Sequence, residues 1–520
     1  MKTIQFLLFF AGFVARICAQ QFEILYDHEG FSNDGGSIIK IGGGYFTTHA
    51  ATDPNLGLTT LVATFDDQAF LVWDTSLTSY AEKFSQSSLN GNIFFDVEES
   101  NSWVIGNYGI QGEATVIPFL KLYNNNGQLL QTKLLDTLDQ YSPNIFGGIR
   151  TLEGIYLSCR NNAVNDPNEI LIVKCSLDGE YEWHQTYDAG VQFHPKCIVD
   201  VGDGFVVAGW RYATQFDLSD LNGQQYIRKF NYQGESQWIS TMAHGDNMNL
   251  GAVGIVQLDN GNYLFAGTKY IEGYSIQPLI GELNSDTGDT LWTRVYFESE
   301  DYDPNNLNDF NSLNRIHGFK KLESGGFLGV GECRHEIISG AEDDPLDNAA
   351  FLMKLDDEYN LLWKRIYVPE GYAELEQSQA QCQLNDFVEN DDGSITALGR
   401  VYMYTGSGPQ GGYIQDSYLI RVDSMGCLIT GCAVGIEEFE PSDNMFVYPN
   451  PANGPVTILL PYKDNWNIDI FDAHGKLVHN QILQQNNKAE LETNRFLSGI
   501  YLLRVKNKTK LFHSKLFIQN

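Results

Sequence analysis

The chain has 520 residues, more than a single ordinary hydrophobic core needs, so at least two domains are expected. Acidic residues number 66 and basic residues 33, and nine of each lie from residue 436 onward, so the excess negative charge belongs to the preceding part. Such a charge repels phosphate backbones and excludes nucleic acid as a plausible partner. The 50 glycines, 27 tyrosines and 31 phenylalanines favour short strands joined by turns.

Residues 1–19 have the features of a signal peptide. Lys2 supplies a basic start, residues 6–14 an apolar segment, and Ala19 a small residue before the predicted cleavage site. This apolar segment is shorter than the roughly 20 residues that cross a bilayer, and no later stretch is long enough. We therefore predict export and no transmembrane segment.

Eight cysteines are present, and Cys18 would leave with the signal peptide. No spacing fits a zinc site. Cys427 and Cys432 lie close together and could form a disulfide in an exported protein. The other five fit small buried residues.

A turn followed by an alternating apolar strand recurs seven times. The copies begin at Gly44, Ser102, Gly154, Gly204, Gly261, Gly326 and Gly393. A second strand follows each copy, and a third carries tryptophan in five of them: Trp73, Trp183, Trp238, Trp292 and Trp363. With the strand before each turn, every unit has four strands, a, b, c and d. Seven such units predict an all-β, seven-bladed propeller over residues 20–435.

The two ends of this region are predicted to join. The seventh unit lacks strand d, whereas Phe22 and Tyr26 repeat the spacing of Trp183 and Tyr187. An N-terminal strand that completes the last unit would close the ring and remove its open edges. The repeat resembles the tryptophan-docked propeller families, and residues 285–292 are most similar to a quinoprotein-type docking motif. That resemblance concerns packing and implies no quinone cofactor.

Residues 436–445 form an acidic linker, and residues 446–520 have a different pattern. Turn residues alternate there with short apolar strands, which predicts a small Ig-like β-sandwich of six or seven strands. The segments that stand out are a Tyr-Pro-Asn-Pro-Ala start at residues 448–452, an Asp-x-x-Gly-Lys hairpin ending at Lys476, a Leu-x-Gly-x-Tyr strand ending at Tyr501, and a terminal strand led by Lys515.

In order and spacing, these segments resemble the type A C-terminal sorting domain of type IX secretion cargo. The resemblance implies transport by the type IX secretion machinery, removal of the domain by a sortase-like peptidase, and a product released from or held at the bacterial outer surface. A carbohydrate-binding sandwich is the alternative. The sorting residues that the resemblance implies are Tyr448, Pro449, Asn450, Pro451, Ala452, Gly475, Lys476, Gly499, Tyr501 and Lys515.

The sequence contains no G-x-S-x-G, H-E-x-x-H or P-loop motif, and its ten histidines show no ligand spacing. A basic residue recurs in strand c, with Glu282 interrupting the series. These residues could line a channel, but we favour pairing with a carboxylate or carbonyl of a neighbouring blade. The series comprises Lys121, Lys174, Lys229, Lys354 and Arg421.

The loops between strands b and c and between d and a are the longer ones, and in a propeller they share one face. Function commonly resides in such loops. The candidate residues of this long-loop face are Glu300, Asp301, Tyr302, Asp303, Asp343, Asp344, Tyr372, Tyr402 and Tyr404. The acids could bind Ca²⁺, although no EF-hand spacing is present, and acids beside aromatics would suit a sugar. No other cofactor is indicated.

The sequence thus predicts a secreted or surface propeller that binds a glycan or protein, or mediates adhesion, without catalysis. Two alternatives remain open. One is an extracellular polysaccharide-degrading enzyme that uses loop carboxylates, since two suitably placed acids suffice for glycosidic chemistry. The other is a structural component of the surface layer.

Overall fold

The computed structural model describes residues 22–26, 32–53, 57–76, 83–86, 93–96, 101–110, 116–141, 143–161, 169–188, 193–212, 223–243, 251–271, 275–296, 314–334, 348–369, 380–404, 413–428, 446–448, 452, 454–472, 476–507 and 511–518. These residues are all-β except for a short 3₁₀ helix at Asp136–Tyr141. The chain separates into two compact units, with the boundary between Gly431 and Cys432. The predicted signal peptide, residues 1–19, and the linker, residues 436–445, lie outside the described residues.

The first unit contains 29 described strands. They are β1 Phe22–Tyr26, β2 Ser32–Ile41, β3 Gly44–Asp53, β4 Gly57–Asp66, β5 Leu71–Ser76, β6 Lys83–Gln86, β7 Ile93–Asp96, β8 Asn101–Ile110, β9 Val116–Asn124, β10 Leu129–Leu134, β11 Asn144–Thr151, β12 Gly154–Arg160, β13 Glu169–Cys175, β14 Tyr181–Asp188, β15 Phe193–Asp200, β16 Phe205–Tyr212, β17 Gly223–Phe230, β18 Ser236–Ala243, β19 Ala252–Gln257, β20 Tyr263–Ile271, β21 Ser275–Leu283, β22 Thr290–Val295, β23 Asn314–Lys321, β24 Phe327–Arg334, β25 Asn348–Leu355, β26 Leu361–Tyr367, β27 Ala380–Glu389, β28 Ile395–Tyr404 and β29 Tyr413–Val422.

Strands that are consecutive in sequence form small antiparallel sheets. Four sheets have four strands each, β2–β5, β11–β14, β15–β18 and β19–β22, and a fifth contains β6–β10 with both β6 and β7 on β8. An eight-stranded sheet joins β23–β26 to β27–β29 and β1 through one parallel pair, Asn348 with Gln381. The seven strands that the sequence predicted after the recurring turns correspond to β3, β8, β12, β16, β20, β24 and β28.

The sheets follow one another around an axis. The first strand of each group contacts the first strand of the next, in the order β2, β7, β11, β15, β19, β23 and β27. β27 in turn contacts β2, so the series returns to its start. Small four-stranded sheets in such a closed series make a propeller-like fold.

The N-terminal strand joins the two ends of this series. β1 pairs antiparallel with β29, with Phe22 opposite Arg421 and Tyr26 opposite Ser417. The Tyr26 hydroxyl also donates to Asp74 Oδ2 at 2.5 Å, in the sheet that follows. The predicted pairing of residues 22–26 with the last unit is confirmed. Because β1 covers the edge of β29, that edge is not left open for another chain.

A left-handed residue lies in each turn between the third and fourth strands. These residues have φ angles between 60° and 83°, a region in which an ordinary side chain is strained. They are Ala69, Gly127, Gly179, Gly234, Gly288, Tyr359 and Gly426. Five are glycine, which tolerates this region because it has no Cβ.

The outer-strand aromatics of one sheet pack on this turn of the next sheet. Trp238 in β18 lies against Gly288, and its Nε1 donates to the Ser285 carbonyl at 2.8 Å. The tyrosine four residues after a tryptophan donates to the turn as well: Tyr296 to the Tyr359 carbonyl at 2.7 Å. In the same way Tyr367 donates to the Gly426 carbonyl at 2.8 Å. Each sheet is therefore attached to its neighbour by an apolar contact and a hydrogen bond.

The unit without a tryptophan in its fourth strand uses a different residue. Trp103, in β8, contacts Gly179 of the next sheet and is almost fully buried. In this unit the indole that contacts the turn comes from the second strand. In other units it comes from the outer strand. The sequence pattern did not indicate this substitution.

The second unit contains β30 Phe446–Tyr448, β31 Val456–Phe471, β32 Leu477–Leu491, β33 Gly499–Lys506 and β34 Leu511–Ile518, joined in one sheet. The pairing of β31 with β32 shifts register between Leu459 and Asp464. Residues on both sides of the shift, Ile458 and Trp466 among them, share one buried core. The structure describes five strands where the sequence predicted six or seven, and the sandwich arrangement stays a prediction.

A pair of glycine substitutions tests the attachment between sheets. Gly288 and Gly261 both have left-handed φ angles, +74° and +89°, so alanine is strained at either position. A Cβ at Gly288 would lie 2.5 Å from Trp238 Cε3, whereas a Cβ at Gly261 would have no atom within 4 Å. We expect Gly261→Ala to cost about 1–2 kcal/mol of unfolding free energy, and Gly288→Ala to cost roughly 1–3 kcal/mol more.

Urea denaturation of both variants, followed by circular dichroism, measures the difference. Gly261→Ala is the control because it has the backbone strain without the indole contact. Equal losses in the two variants would show that the Trp238 contact contributes nothing.

Candidate functional site

Most of the residues predicted for the long-loop face lie outside the described residues: Glu300, Asp301, Tyr302, Asp303, Asp343, Asp344 and Tyr372. Tyr402 is half-buried in β28. Tyr404 ends that strand opposite Tyr413. Whether these side chains converge is therefore still a prediction.

The basic residues of strand c are engaged in local contacts. Lys229 Nζ lies 2.9 Å from Asp203, Lys174 Nζ lies 3.1 Å from Glu182, and Arg421 Nη2 lies 3.1 Å from Asp392. These carboxylates belong to the same sheet as the cation: Asp203 and Asp392 lie in the turn between the first two strands, and Glu182 lies in the neighbouring strand β14. The expectation that the partner belongs to a neighbouring blade is wrong for Lys174 and Lys229, whereas Arg421 has a partner in its own sheet and, as expected, a carbonyl partner in the next one.

Arg421 also reaches the neighbouring sheet, where its Nη1 donates to the Asp67 carbonyl at 2.8 Å. Lys121 differs from the others because its ammonium lies over the Phe119 ring and burial lowers its pKa to about 8. The ion pairs of Lys174, Lys229 and Arg421 favour the hypothesis of pairing over that of a positively charged channel lining.

A β-bulge recurs at the same point of the first strand in successive sheets. The register of β11, β15, β19, β23 and β27 with the next strand shifts there by one residue. A bulge leaves one residue unpaired and redirects its side chain. The bulged residues are Phe146, Lys196, Val253, His317 and Asn385.

Two of these residues influence each other across the ring. Lys196 is in β15 and His317 is in β23, with the sheet of β19 between them, yet the charge of Lys196 helps to lower the pKa of His317. His317 is surrounded by protein atoms, yet 21% of the surface of its side chain remains accessible to solvent. Both observations fit side chains that line the space enclosed by the sheets.

Glu332 is the carboxylate of this region among the described residues. Its Oε1 lies 3.1 Å from Arg315 Nη1 and 3.4 Å from His317 Nε2, and its Oε2 accepts from Asn348 Nδ2 at 3.1 Å. Burial opposes its ionisation, but contact with His317 and the charges of Arg315 and Arg400 outweigh burial and lower its pKa to about 2. Glu332 is therefore an anion at neutral pH and cannot act as a general acid.

A second group lies beside Lys196. The His194 ring stacks on Trp210 with centroids 3.9 Å apart, and Arg160 Nη1 lies 3.1 Å from His194 Nδ1. Burial, together with the charges of Arg160 and Lys196, lowers the pKa of His194 to about 3. His194 is thus neutral at pH 7 and accepts a hydrogen bond from the guanidinium.

We call Arg160, His194, Lys196, Arg315, His317, Glu332 and Arg400 the axial cluster. Its members lie toward the ends of strands that lead into the long loops: Arg160 is the last residue of β12, and Arg315 pairs with Glu332 near the start of β23. In a chain of formal net charge −33, this group has four lysine or arginine side chains and one carboxylate.

The sequence predictions missed the axial cluster. One signal was available, because aligning the first strands on their shared bulge places Lys196, Val253, His317 and Asn385 in one column. One of these strands has valine at this position, so packing alone does not explain a lysine or histidine there. Glu332 and Arg400 gave no comparable signal, since strand ends commonly carry charges.

Several sorting residues stabilise the second unit itself. Ala452 is fully buried, and its N–H donates to the Phe517 carbonyl at 2.7 Å. Tyr501 is buried against Phe496 and donates to the Leu497 carbonyl at 2.9 Å.

The hairpin motif closes through a side chain, because the Lys476 N–H donates to Asp472 Oδ1 at 3.0 Å. Lys476, Gly499 and Lys515 are exposed, and Tyr448 pairs with Thr457. Pro449, Asn450, Pro451 and Gly475 lie outside the described residues.

One surface of the second unit combines exposed apolar side chains with cations. Ile500 lies opposite Phe517, and Leu502 lies opposite Lys515, on the side of β33 and β34 that faces away from the core. Ile500 is 53% exposed and Leu502 44% exposed. We call Ile500, Leu502, Lys515 and Phe517 the outer face.

The part of the chain that the structure describes contains no group of three or more His, Cys, Asp or Glu side chains placed to hold a metal ion. It also contains no helix long and apolar enough to cross a membrane. Calcium binding by the long loops stays a prediction.

Residues 446–519 match the family described as the secretion system C-terminal sorting domain. No curated protein matches the chain. Similar solved structures include a periplasmic gluconolactonase of Pseudomonas aeruginosa, 12% identical, with a TM-score of 0.42, covering 76% of this chain and 98% of that one. An exo-β-1,3-galactanase of Clostridium thermocellum is 14% identical, with a TM-score of 0.34, covering 86% and 95%. Likenesses this distant carry no argument about activity.

The family match falls on the segment whose motifs predicted it. The prediction of a sorting domain is confirmed. The chain is a cargo protein of the type IX secretion system, secreted from the cell or displayed at its outer surface.

Proposed function

We propose that the first unit is a seven-bladed propeller that binds a ligand at its long-loop face without catalysing a reaction. The axial cluster carries this proposal, because it brings charged side chains from sheets that are not adjacent to one end of a shared space. Side chains that converge from several rigid strands are positioned for recognition.

Seven blades are supported by two features. The first strands form a closed series of seven contacts, and seven left-handed turns recur at equivalent positions. We further propose that residues 1–19 are removed as a signal peptide and that residues 436–445 separate the propeller from an Ig-like sandwich at 446–520. A sortase-like peptidase would remove that sandwich after export.

Cys427 is disulfide-bonded, whereas Cys159, Cys175, Cys197, Cys333 and Cys382 are free thiols. Its predicted partner, Cys432, lies outside the described residues. We propose this pairing as part of the exported form.

The binding function is tested with the exported, mature protein on a glycan array and in a pull-down with surface proteins. We expect saturable binding of at least one ligand class and no turnover of that ligand. Absence of binding in both assays would contradict the proposal. Polymer turnover that Asp301→Asn or Asp303→Asn abolishes would establish the enzyme alternative instead.

We also propose that the outer face is the surface that the secretion machinery contacts. The sorting-domain match identifies the partner, and the exposed Ile500 and Leu502 side chains offer an apolar contact that the second unit leaves uncovered. The buried motif residues would then maintain the fold, while the outer face would be recognised.

The double variant Ile500→Ser, Leu502→Ser tests this role. We expect the protein to fold but to accumulate in the periplasm, with export reduced at least tenfold, because the removed side chains contribute little to the core. Immunoblots of culture medium, cell surface and periplasm measure the distribution. Ile482→Ser is the control, since Ile482 is 65% exposed and lies in β32, outside the sorting motifs and the outer face. Normal export of the double variant would contradict the proposal.

A further inference from the structure

We propose that the axial cluster binds a carboxylate group of the ligand, with Lys196 and Arg315 as the principal contacts. This inference rests on the proposed binding function and names the ligand's chemical class. Lys196 is partly buried and forms no hydrogen bond or ion pair within the described part of the chain.

A buried ammonium without a partner is unfavourable, and lysine is rarely buried unless it is paired. The nearby charge of Arg315 makes the burial of the Lys196 ammonium still less favourable, because both groups are cations. Burial and this charge together lower the pKa of Lys196. An anion placed between the two side chains would supply a partner for Lys196 and an additional one for Arg315.

Arg315 has an unused donor that suits a carboxylate. Its Nη1 is engaged by Glu332 at 3.1 Å, whereas its Nε is buried without a hydrogen-bond partner. A guanidinium can present Nε together with Nη2 as a two-pronged donor, which matches the two oxygens of a carboxylate. The Arg315 side chain is 32% exposed, so part of the guanidinium arm is accessible to a ligand.

Glu332 has a positioning role in this arrangement. It forms an ion pair with Arg315 and accepts a hydrogen bond from Asn348. The guanidinium is therefore held in position before the ligand binds. Its single negative charge does not cancel the cations around it. His317 lies 3.4 Å from Glu332, too far for a strong hydrogen bond, and can donate to the ligand from the same bulge position that Lys196 occupies in β15.

The charge of the whole chain sharpens the selectivity of such a site. A protein of formal net charge −33 repels anions at long range, so only a ligand with additional contacts would overcome that repulsion. A carboxylate carried on a saccharide satisfies this condition, because its hydroxyl groups can form further hydrogen bonds. We therefore use oligogalacturonate as the probe and a neutral galactose oligomer as its uncharged counterpart.

The test compares the full exported protein with its Lys196→Met variant by titration calorimetry. Methionine keeps the length of the side chain and removes the charge. We expect affinity for oligogalacturonate to fall at least tenfold while the urea midpoint stays the same or rises, because an unpaired buried cation has been removed. Lys229→Met is the control: it removes a lysine paired with Asp203 outside the cluster, and binding should be unchanged.

The outcomes separate the two proposals. Equal affinity in wild type and Lys196→Met, or equal binding of inorganic sulfate, overturns the carboxylate assignment. Binding of the neutral oligomer but not of oligogalacturonate also overturns it and leaves the binding function intact. Absence of any ligand in the array and pull-down contradicts the binding function itself.

If Lys196→Met fails to fold, amide exchange of the wild-type protein replaces the calorimetry. Slower exchange of residues 193–200 and 314–321 on adding oligogalacturonate supports the assignment, and unchanged exchange overturns it.

Discussion

The attachment of each sheet to the next depends on an aromatic side chain that packs on a left-handed turn. A turn residue with positive φ brings its backbone close to the neighbouring sheet, and an indole such as Trp238 fills the space that a Cβ would occupy. The neighbouring carbonyl then accepts a hydrogen bond from the indole or from a following tyrosine. Because each contact involves only neighbouring sheets, the ring is stable only if its ends are joined, and β1 joins them.

This closed ring determines where polar groups can be placed. Glycine follows the bulge in three of the first strands, β11, β19 and β23. A Cβ at Gly254 would lie 2.7 Å from the Phe319 carbonyl of the next sheet. The bulge beside it redirects one residue per sheet into the enclosed space. Where that residue is Lys196 or His317, the bulge occupies a position with a polar, titratable side chain.

The sequence predicted the repeating architecture because its determinants are local. Tryptophan and tyrosine four residues apart, and glycine in the turn, recur at regular distances whatever the rest of the chain does. The pairing of residues 22–26 with β29 followed from the same spacing, although about 400 residues separate the strands. Trp103 escaped prediction because it performs the same packing from a different strand.

The candidate site was harder to predict, because its members are close in space and distant in sequence. Lys196, Arg315 and Arg400 belong to β15, β23 and β28, strands far apart in sequence, and none lies in a recognisable motif. The loop acids were chosen for loop length and composition, which do not determine whether side chains meet. In the second unit the motif was informative because much of it, Ala452 and Tyr501 included, is needed by one small core.

The central claim is that the N-terminal strand closes the ring of sheets, and hydrogen–deuterium exchange of the exported full chain tests it most directly. Peptides that cover residues 22–26 and 413–422 should both exchange slowly and should lose protection together as urea is added. Exchange of residues 22–26 within seconds, while residues 413–422 stay protected, would contradict the account.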